Sequence, residues 1–384
     1  MHRRDKRLEH WQEPVELVRQ RQPRQAPGLG TGGFGADVDQ VRPLLLHPPR
    51  AVDRLRVVEQ AVPGEGVGGQ VEDAHHEGPR PPGELGAADS RRSERSHHRS
   101  ERSIITTVKL SQLLQGVPVV EAVAADPEIL GIRYDSRRLE PGDCFVAVSG
   151  SHTDGHRYVE TALRDGAVAA LVERRVGTAW PQVVVPDTRR ALALVSAAFY
   201  HHPSRDLALI GVTGTDGKTT TTSMIHAILQ AAGWGAAAMS TVDLRVDAQV
   251  LPNDSRQTTL EAPEIQAFLA RARDARLRAA VLETSSHGLA LHRVDACDYD
   301  LAVYTNITHE HLDFHGTFEA YREAKASLID LTAASAPKGI AKTAVLNRDD
   351  PSYALLAQRP ISRRLTYGLE LPADVFGWRV ASTV

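Results

Sequence analysis

The chain has 384 residues, with 45 Lys and Arg against 48 Asp and Glu, so its formal net charge is −3. That near-balance removes the electrostatic case for a general nucleic-acid binder or a membrane-surface protein. Hydrophobic content of 42% suffices for packed cores, and the length suits two or three domains.

No stretch reaches the ~18 apolar residues that a membrane-spanning helix needs. The N-terminus is charged, with no apolar run behind it of the kind a secretory signal carries. Cys144 and Cys297 make neither a disulfide framework nor a metal cluster. A cytoplasmic protein is expected.

Residues 1–103 hold 16 Arg but one Lys, and no Ile, Asn or Tyr; ten of the 22 prolines and 12 of the 29 glycines lie there. A segment so poor in large apolar side chains cannot bury enough surface to offset its chain entropy. Residues 1–107 therefore read either as a disordered extension or as GC-rich DNA translated in an unselected frame. The missing residue types are those of A/T-rich codons, and the run from Val108 to Leu114 reads like a natural beginning.

From Ile104 onward, short apolar runs alternate with amphipathic segments, the pattern of an α/β fold. A first block, 108–205, has strand candidates at Cys144–Val148, Ala169–Val172 and Gln182–Val185, with helices over Tyr158–Asp165 and Arg189–Tyr200. A second block, 206–384, has strand candidates at Leu207–Thr213, Ala279–Glu283, Leu301–Thr305 and Thr343–Asn347. Such alternation implies a mostly parallel sheet with ligands at the carboxyl ends of its strands.

The strongest signal starts at Leu207. An apolar strand runs into Gly214-Thr-Asp-Gly-Lys-Thr220 and then into a helix ending near Gly233. Glycines let backbone N–H groups curl around phosphate oxygens, and the helix amino end adds partial positive charge. Lys218 would reach the terminal phosphates and the Thr219 hydroxyl would hold Mg²⁺. The strict phosphate-loop pattern is not met, because Val212 occupies its first glycine slot, flanked by Gly211 and Gly214.

Glu283 ends an apolar strand beside that loop, a position from which it could ligate Mg²⁺. His311 and His315 stand four apart, but Leu312 replaces the general base of a zinc-protease motif. A helix is expected after Gly316, with Thr317 as N-cap and Phe318, Tyr321, Leu328 and Ile329 as its apolar stripe. Lys325 falls on that stripe. Inward lysines usually snorkel to water, but a desolvated amine has a depressed pKa and can react with CO₂ to form a carbamate.

These segments, together with Glu283-Thr-Ser-Ser-His-Gly-Leu, His292-Arg293, Thr305-Asn-Ile and His311-Leu-Asp-Phe-His-Gly-Thr, resemble the Mur ligase family. Tyr134-Asp-Ser-Arg137 and Gly150-Ser-His-Thr-Asp-Gly-His156 are similar to that family's uridine-nucleotide domain. The resemblance covers 108–384. It implies a uridine-nucleotide α/β domain at 108–205 and a P-loop-type central ATP-binding domain at 206–384. A C-terminal Rossmann-like domain is expected to be missing.

The activity implied is ATP-dependent addition of the third stem-peptide residue to UDP-N-acetylmuramoyl-L-Ala-D-Glu through an acyl phosphate. ATP and Mg²⁺ are the implied cofactors. The other substrate is diaminopimelate or a lysine-like amino acid, with no nucleic-acid or membrane partner and a monomeric state.

Carried onto this sequence, the family's ATP site is Gly214, Thr215, Asp216, Gly217, Lys218, Thr219 and Thr220. Thr219 and Glu283 would hold one Mg²⁺; His311 and Lys325, as N6-carboxylysine, would hold a second. Lys218, Lys325 and His311 form the implied catalytic set. Tyr134, Ser136, Ser151, His152 and Thr153 would contact the UDP end of the substrate, and Thr258, Thr259, Ser285 and Arg293 its sugar-peptide portion. Asp216, Leu260 and Leu291 depart from the residues common in the family at those places. A folylpolyglutamate synthase-like ligase and a non-catalytic binding fragment are the alternatives.

Overall fold

The computed structural model describes residues 107–150, 153–177, 181–255 and 257–377. The expectations for 1–106, Ser151 and His152 lie outside them.

Strands β1 (Val108–Lys109) and β2 (Glu128–Ile129) pair antiparallel, with helix α1 (Leu110–Leu113) following β1. Next comes a four-stranded parallel sheet in the order β3 (Gly131–Arg133), β4 (Asp143–Val146), β5 (Ala169–Val172) and β6 (Gln182–Val184). Alternate residues feed opposite cores. Cys144 and Val146 face Leu192, Val195 and Phe199 of α3 (Thr188–Phe199). Phe145 and Ala147 join Val159, Ala162 and Leu163 of α2 (Val159–Arg164). A parallel sheet covered on both faces explains why β5 is apolar and buried throughout.

The turn Pro203–Asp206 leads into a nine-stranded sheet. In chain order its strands are β7 (Ala208–Thr213), β8 (Ala236–Met239), β9 (Asp243–Val246), β10 (Gln249–Pro252), β11 (Ala279–Glu283), β12 (Leu301–Tyr304), β13 (Thr343–Asn347), β14 (Arg363–Gly368) and β15 (Val375–Phe376). In space they run β10-β9-β8-β11-β7-β12-β13-β14-β15, with β9 antiparallel to both its neighbours, β8 and β10, and every other neighbouring pair parallel.

Helix α4 (Lys218–Ala231) covers one face through Ile225 and Leu229 against Ile210, Val212 and Val281. Helices α5 (Ala262–Asp274) and α8 (Phe318–Ala334) cover the other. Between them in sequence lie the short helices α6 (Ser286–Ala290) and α7 (Leu312–His315). The chain leaves β7 through α4 for β8, beyond β11, and later returns to β12 on the opposite side. That reversal opens a crevice at the carboxyl ends of β11, β7 and β12.

The predicted strands are present: Ala169–Val172, Ala279–Glu283 and Thr343–Asn347 match at both ends, and the others shift by a residue or two. The first candidate spans Asp143–Val146 rather than Cys144–Val148. Strand β8, Ala-Ala-Ala-Met, lacks the β-branched signature that marks a strand in sequence, and it forms because neighbouring β11 supplies its ladder.

Candidate active site at the carboxyl end of the central sheet

The loop after β7 is fixed by close backbone approach. Gly214 has φ +151° and Gly217, which caps α4, has φ +77°. A Cβ on Gly214 would collide with the Thr305 hydroxyl and the Asn306 carbonyl, so the bare backbone is required there. The end of β12 braces the loop. Thr215 N donates to Asn306 O at 2.7 Å and Asp216 N to Asn306 Oδ1 at 3.0 Å. Thr305 Oγ1 and Asn306 Nδ2 donate to Asp216 O at 2.7 and 3.1 Å. Lys218 Nζ folds back onto Thr215 O at 2.7 Å. A nest of N–H groups at the start of a 14-residue helix, with a lysine beside it, is chemistry for phosphate oxygens.

Parallel pairing sets Glu283 opposite Val212, which carries its carboxylate to the loop's first helical turn. Thr219 Oγ1 lies 3.0 and 2.9 Å from the two carboxylate oxygens, and Thr241 N donates to Oε2 at 2.8 Å. Glu283 is 2% exposed. A hydroxyl and a buried carboxylate in contact form the hard-oxygen set that suits Mg²⁺.

Helix α8 begins as expected, with Thr317 Oγ1 accepting from Ala320 N at 3.1 Å. The inward stripe buries Tyr321, Leu328, Ile329 and also Lys325, at 1% exposure. The snorkelling default fails here. Lys325 Nζ donates to Gly214 O at 2.5 Å and sits 4.6 Å from the Tyr321 ring, with no carboxylate at ion-pair distance among the described residues. Burial, then the nearby Lys218 charge, pulls its pKa down to about 7, against the opposing pull of Glu310 and Asp216.

A cavity of about 280 Å³ brings Lys218 of the loop and Lys325 of α8 onto one space. It is lined by Lys218, Thr258, Ser285, Arg293, His311 and Lys325, and also by Gln257, Ser286, His287 and Glu310. Thr259 stands behind the wall, its Oγ1 donating to Glu283 O at 3.0 Å and accepting from Ser285 N at 2.8 Å. His311, at φ +54°, caps α7 and meets His287 edge-on at 4.7 Å between ring centroids. Burial and the neighbouring His311 hold the His287 pKa below its usual value. Among the described residues, no group of three or more His, Cys, Asp or Glu is placed to hold a metal ion.

Tyr134, Ser136 and Thr153 do not line this cavity. The Tyr134 hydroxyl donates to Glu264 Oε1 at 3.0 Å, which ties the first sheet to α5. Ser136 opens a single 3₁₀ turn and Thr153 is exposed.

A family model described as the Mur ligase middle domain matches residues 212–383, and one described as the Mur ligase family catalytic domain matches residues 128–200. The chain belongs to the Mur ligase family.

This Mur ligase chain is 46% identical over 272 residues to a Roseiflexus UDP-N-acetylmuramyl-tripeptide synthetase, covering 67% of this chain and 53% of that protein. It is 39% identical over 270 residues to the UDP-N-acetylmuramoyl-L-alanyl-D-glutamate–2,6-diaminopimelate ligase of Bacillus licheniformis, covering 70% and 55%. A solved structure of a ligase of that same name superposes with a TM-score of 0.58 at 31% identity, covering 70% of this chain and 54% of the other. The chain spans about half the length of the curated relatives it matches.

Sequence reasoning assigned no role to Gln257, Ser286, His287 or Glu310 in this Mur ligase. His287 and Ser286 stood inside a quoted motif, so a signal was present. Gln257 and Glu310 carried none, because only the closing of two loops over the same cavity distinguishes them from surface polar residues. No helix of the described residues is long and apolar enough to cross a membrane.

Proposed function

We propose that this chain binds UDP-N-acetylmuramoyl-L-Ala-D-Glu and ATP and activates the D-glutamate γ-carboxylate for amide formation with diaminopimelate or a lysine-like amino acid. The observation that carries this reading is the shared cavity, in which the phosphate-loop lysine, a buried low-pKa lysine and the Thr258–Ser285–Arg293 wall face one space. A carboxylate is too electron-rich for direct attack by an amine. Transfer of the γ-phosphoryl group from ATP gives an acyl phosphate, from which the amine displaces phosphate through a tetrahedral intermediate.

In this reading Gly214–Thr220 cradle the phosphates, and Lys218 exchanges the Thr215 carbonyl for phosphate oxygens. The buried neutral amine of Lys325 adds to CO₂, forming one C–N bond and releasing one proton to solvent, so that a carboxylate replaces an amine. Thr219 with Glu283, and His311 with carbamylated Lys325, would hold Mg²⁺, which when bound would supply charge neutralisation. Tyr134, Ser136, Ser151, His152 and Thr153 are assigned to the uridine end, and Thr258, Thr259, Ser285 and Arg293 to the sugar-peptide end. We assign the domain division to 205/206, within the turn between the four-stranded and nine-stranded sheets. The family match over 128–200, which includes the Asp135-Ser136-Arg137 segment, favours this reading over a folylpolyglutamate synthase-like ligase.

The test is the half-reaction, with ATP, Mg²⁺ and the UDP-dipeptide but without the amino acid. ADP release that depends on the UDP-dipeptide, with the acyl phosphate trapped as a hydroxamate by hydroxylamine, is the expected result. ADP release indifferent to the UDP-dipeptide, or no binding of either ligand, overturns the proposal.

A further inference from the structure

Among the described residues Arg293 is the one arginine lining the cavity, and it is not free to swing. Its Nη2 lies 2.6 Å from Glu261 Oε1, the two side chains being 11% and 13% exposed. Its Nη1 donates to Thr259 O at 2.8 Å. Its Nε is buried and has no partner. A buried donor left unsatisfied costs free energy, so the guanidinium is held on Glu261 and Thr259 at the expense of its own Nε. Glu261 stands at the N-cap position of α5 without a side-chain cap bond, and the helix's amino end favours a carboxylate there. One turn on, Glu264 accepts from Tyr134 of the first sheet, which steadies the same end of the helix.

We infer that Glu261 is a positioning residue for substrate recognition, holding the Arg293 guanidinium so that its remaining edge meets a ligand carboxylate in the cavity. This rests on the proposed substrate, whose D-glutamate has two carboxylates. One is activated, and the other must be recognised without reacting. An unheld arginine would lose rotamer freedom on binding, whereas a guanidinium already fixed on two nitrogens loses little. The planar fork also gives direction that a lysine ammonium cannot. The negative charge of Glu261 opposes an incoming anion, and a guanidinium with five donors can hold two carboxylates on different edges. Pre-arrangement is therefore the term that favours the pair.

The experiment measures binding, by calorimetry on the whole chain, of UDP-N-acetylmuramoyl-L-Ala and of the same molecule bearing D-Glu. The variants are Glu261→Gln, Glu261→Asp, Arg293→Gln and the Glu261→Gln/Arg293→Gln double. The expected result is that Glu261→Gln weakens the D-Glu ligand about tenfold and the shorter ligand less than twofold, with Glu261→Asp recovering most of the loss. The double variant should bind no more weakly than Arg293→Gln alone, because a residue acting through another adds nothing once that other is gone.

Additive losses in the double variant overturn the inference. So does an undiminished preference for the D-Glu ligand in Glu261→Gln, or equal loss of both ligands in Glu261→Gln and Glu261→Asp. A wild-type chain that does not prefer the D-Glu ligand overturns the proposed substrate itself, and the inference with it.

Discussion

The two ends of the central sheet each bury lysine, in opposite ways. At the amino end, Lys338 and Lys342 converge on Asp300 just before β12, with Nζ–Oδ distances of 2.6 and 2.9 Å. Asp300 is fully buried and also accepts from Leu209 N at 2.9 Å. Lys338 adds bonds to the Ser204, Leu207 and Asp298 carbonyls. Burial lowers its pKa while Asp300 opposes the shift.

At the carboxyl end, Lys325 has one carbonyl and one aromatic face. The amino-end lysines are tied to Asp300 by ion pairs, whereas burial draws the pKa of the carboxyl-end lysine down to about 7. What separates the amino-end lysines from Lys325 is a single buried carboxylate within 3 Å.

Removing that carboxylate is the largest test. Asp300→Ala leaves two lysines buried without an ionic partner, and urea unfolding should show a loss of ~3–5 kcal/mol. A loss below 1 kcal/mol would mean that backbone carbonyls alone satisfy them.

Lys325→Met probes the other end. Between about pH 7 and the ordinary lysine range, the folded wild type holds one proton fewer than the unfolded chain, so its stability rises with pH. In CO₂-free buffer the wild type should gain up to ~1.4 kcal/mol per pH unit relative to Lys325→Met across that window. Parallel stability profiles for the two proteins would contradict the depressed pKa. In ¹³C-bicarbonate the wild type should show a carbamate resonance that the variant lacks.

The smallest effect concerns the helix that carries Lys325. Thr317→Ala removes the α8 N-cap and should cost ~1 kcal/mol in thermal unfolding without moving the pH profile. A shifted profile would show that the cap also sets the depth of Lys325.

Local pattern carried a large share of this reading. The strand–glycine–lysine–helix order located the glycine-rich loop between β7 and α4. The N-cap at Thr317 and the spacing from Phe318 to Ile329 placed Lys325 on the buried stripe. The apolar run ending at Glu283 placed a carboxylate at a strand's carboxyl end. Each signal lies within about fifteen residues, where strand and helix periodicity act directly.

The tertiary structure decided the rest. That Glu283 meets Thr219, and that Asn306 braces the loop, depends on the strand order β11-β7-β12, which no local pattern encodes. Whether Lys325 snorkels or stays dry depends on what covers it, here Gly214 and Tyr321. The Glu261–Arg293 pair joins α5 to the segment after α6, and the Asp300 clamp gathers the starts of β7, β12 and β13. Sequence determines which groups are available and which way each points from its own element. Packing determines which of them lose water together, and that loss turns ordinary side chains into a site.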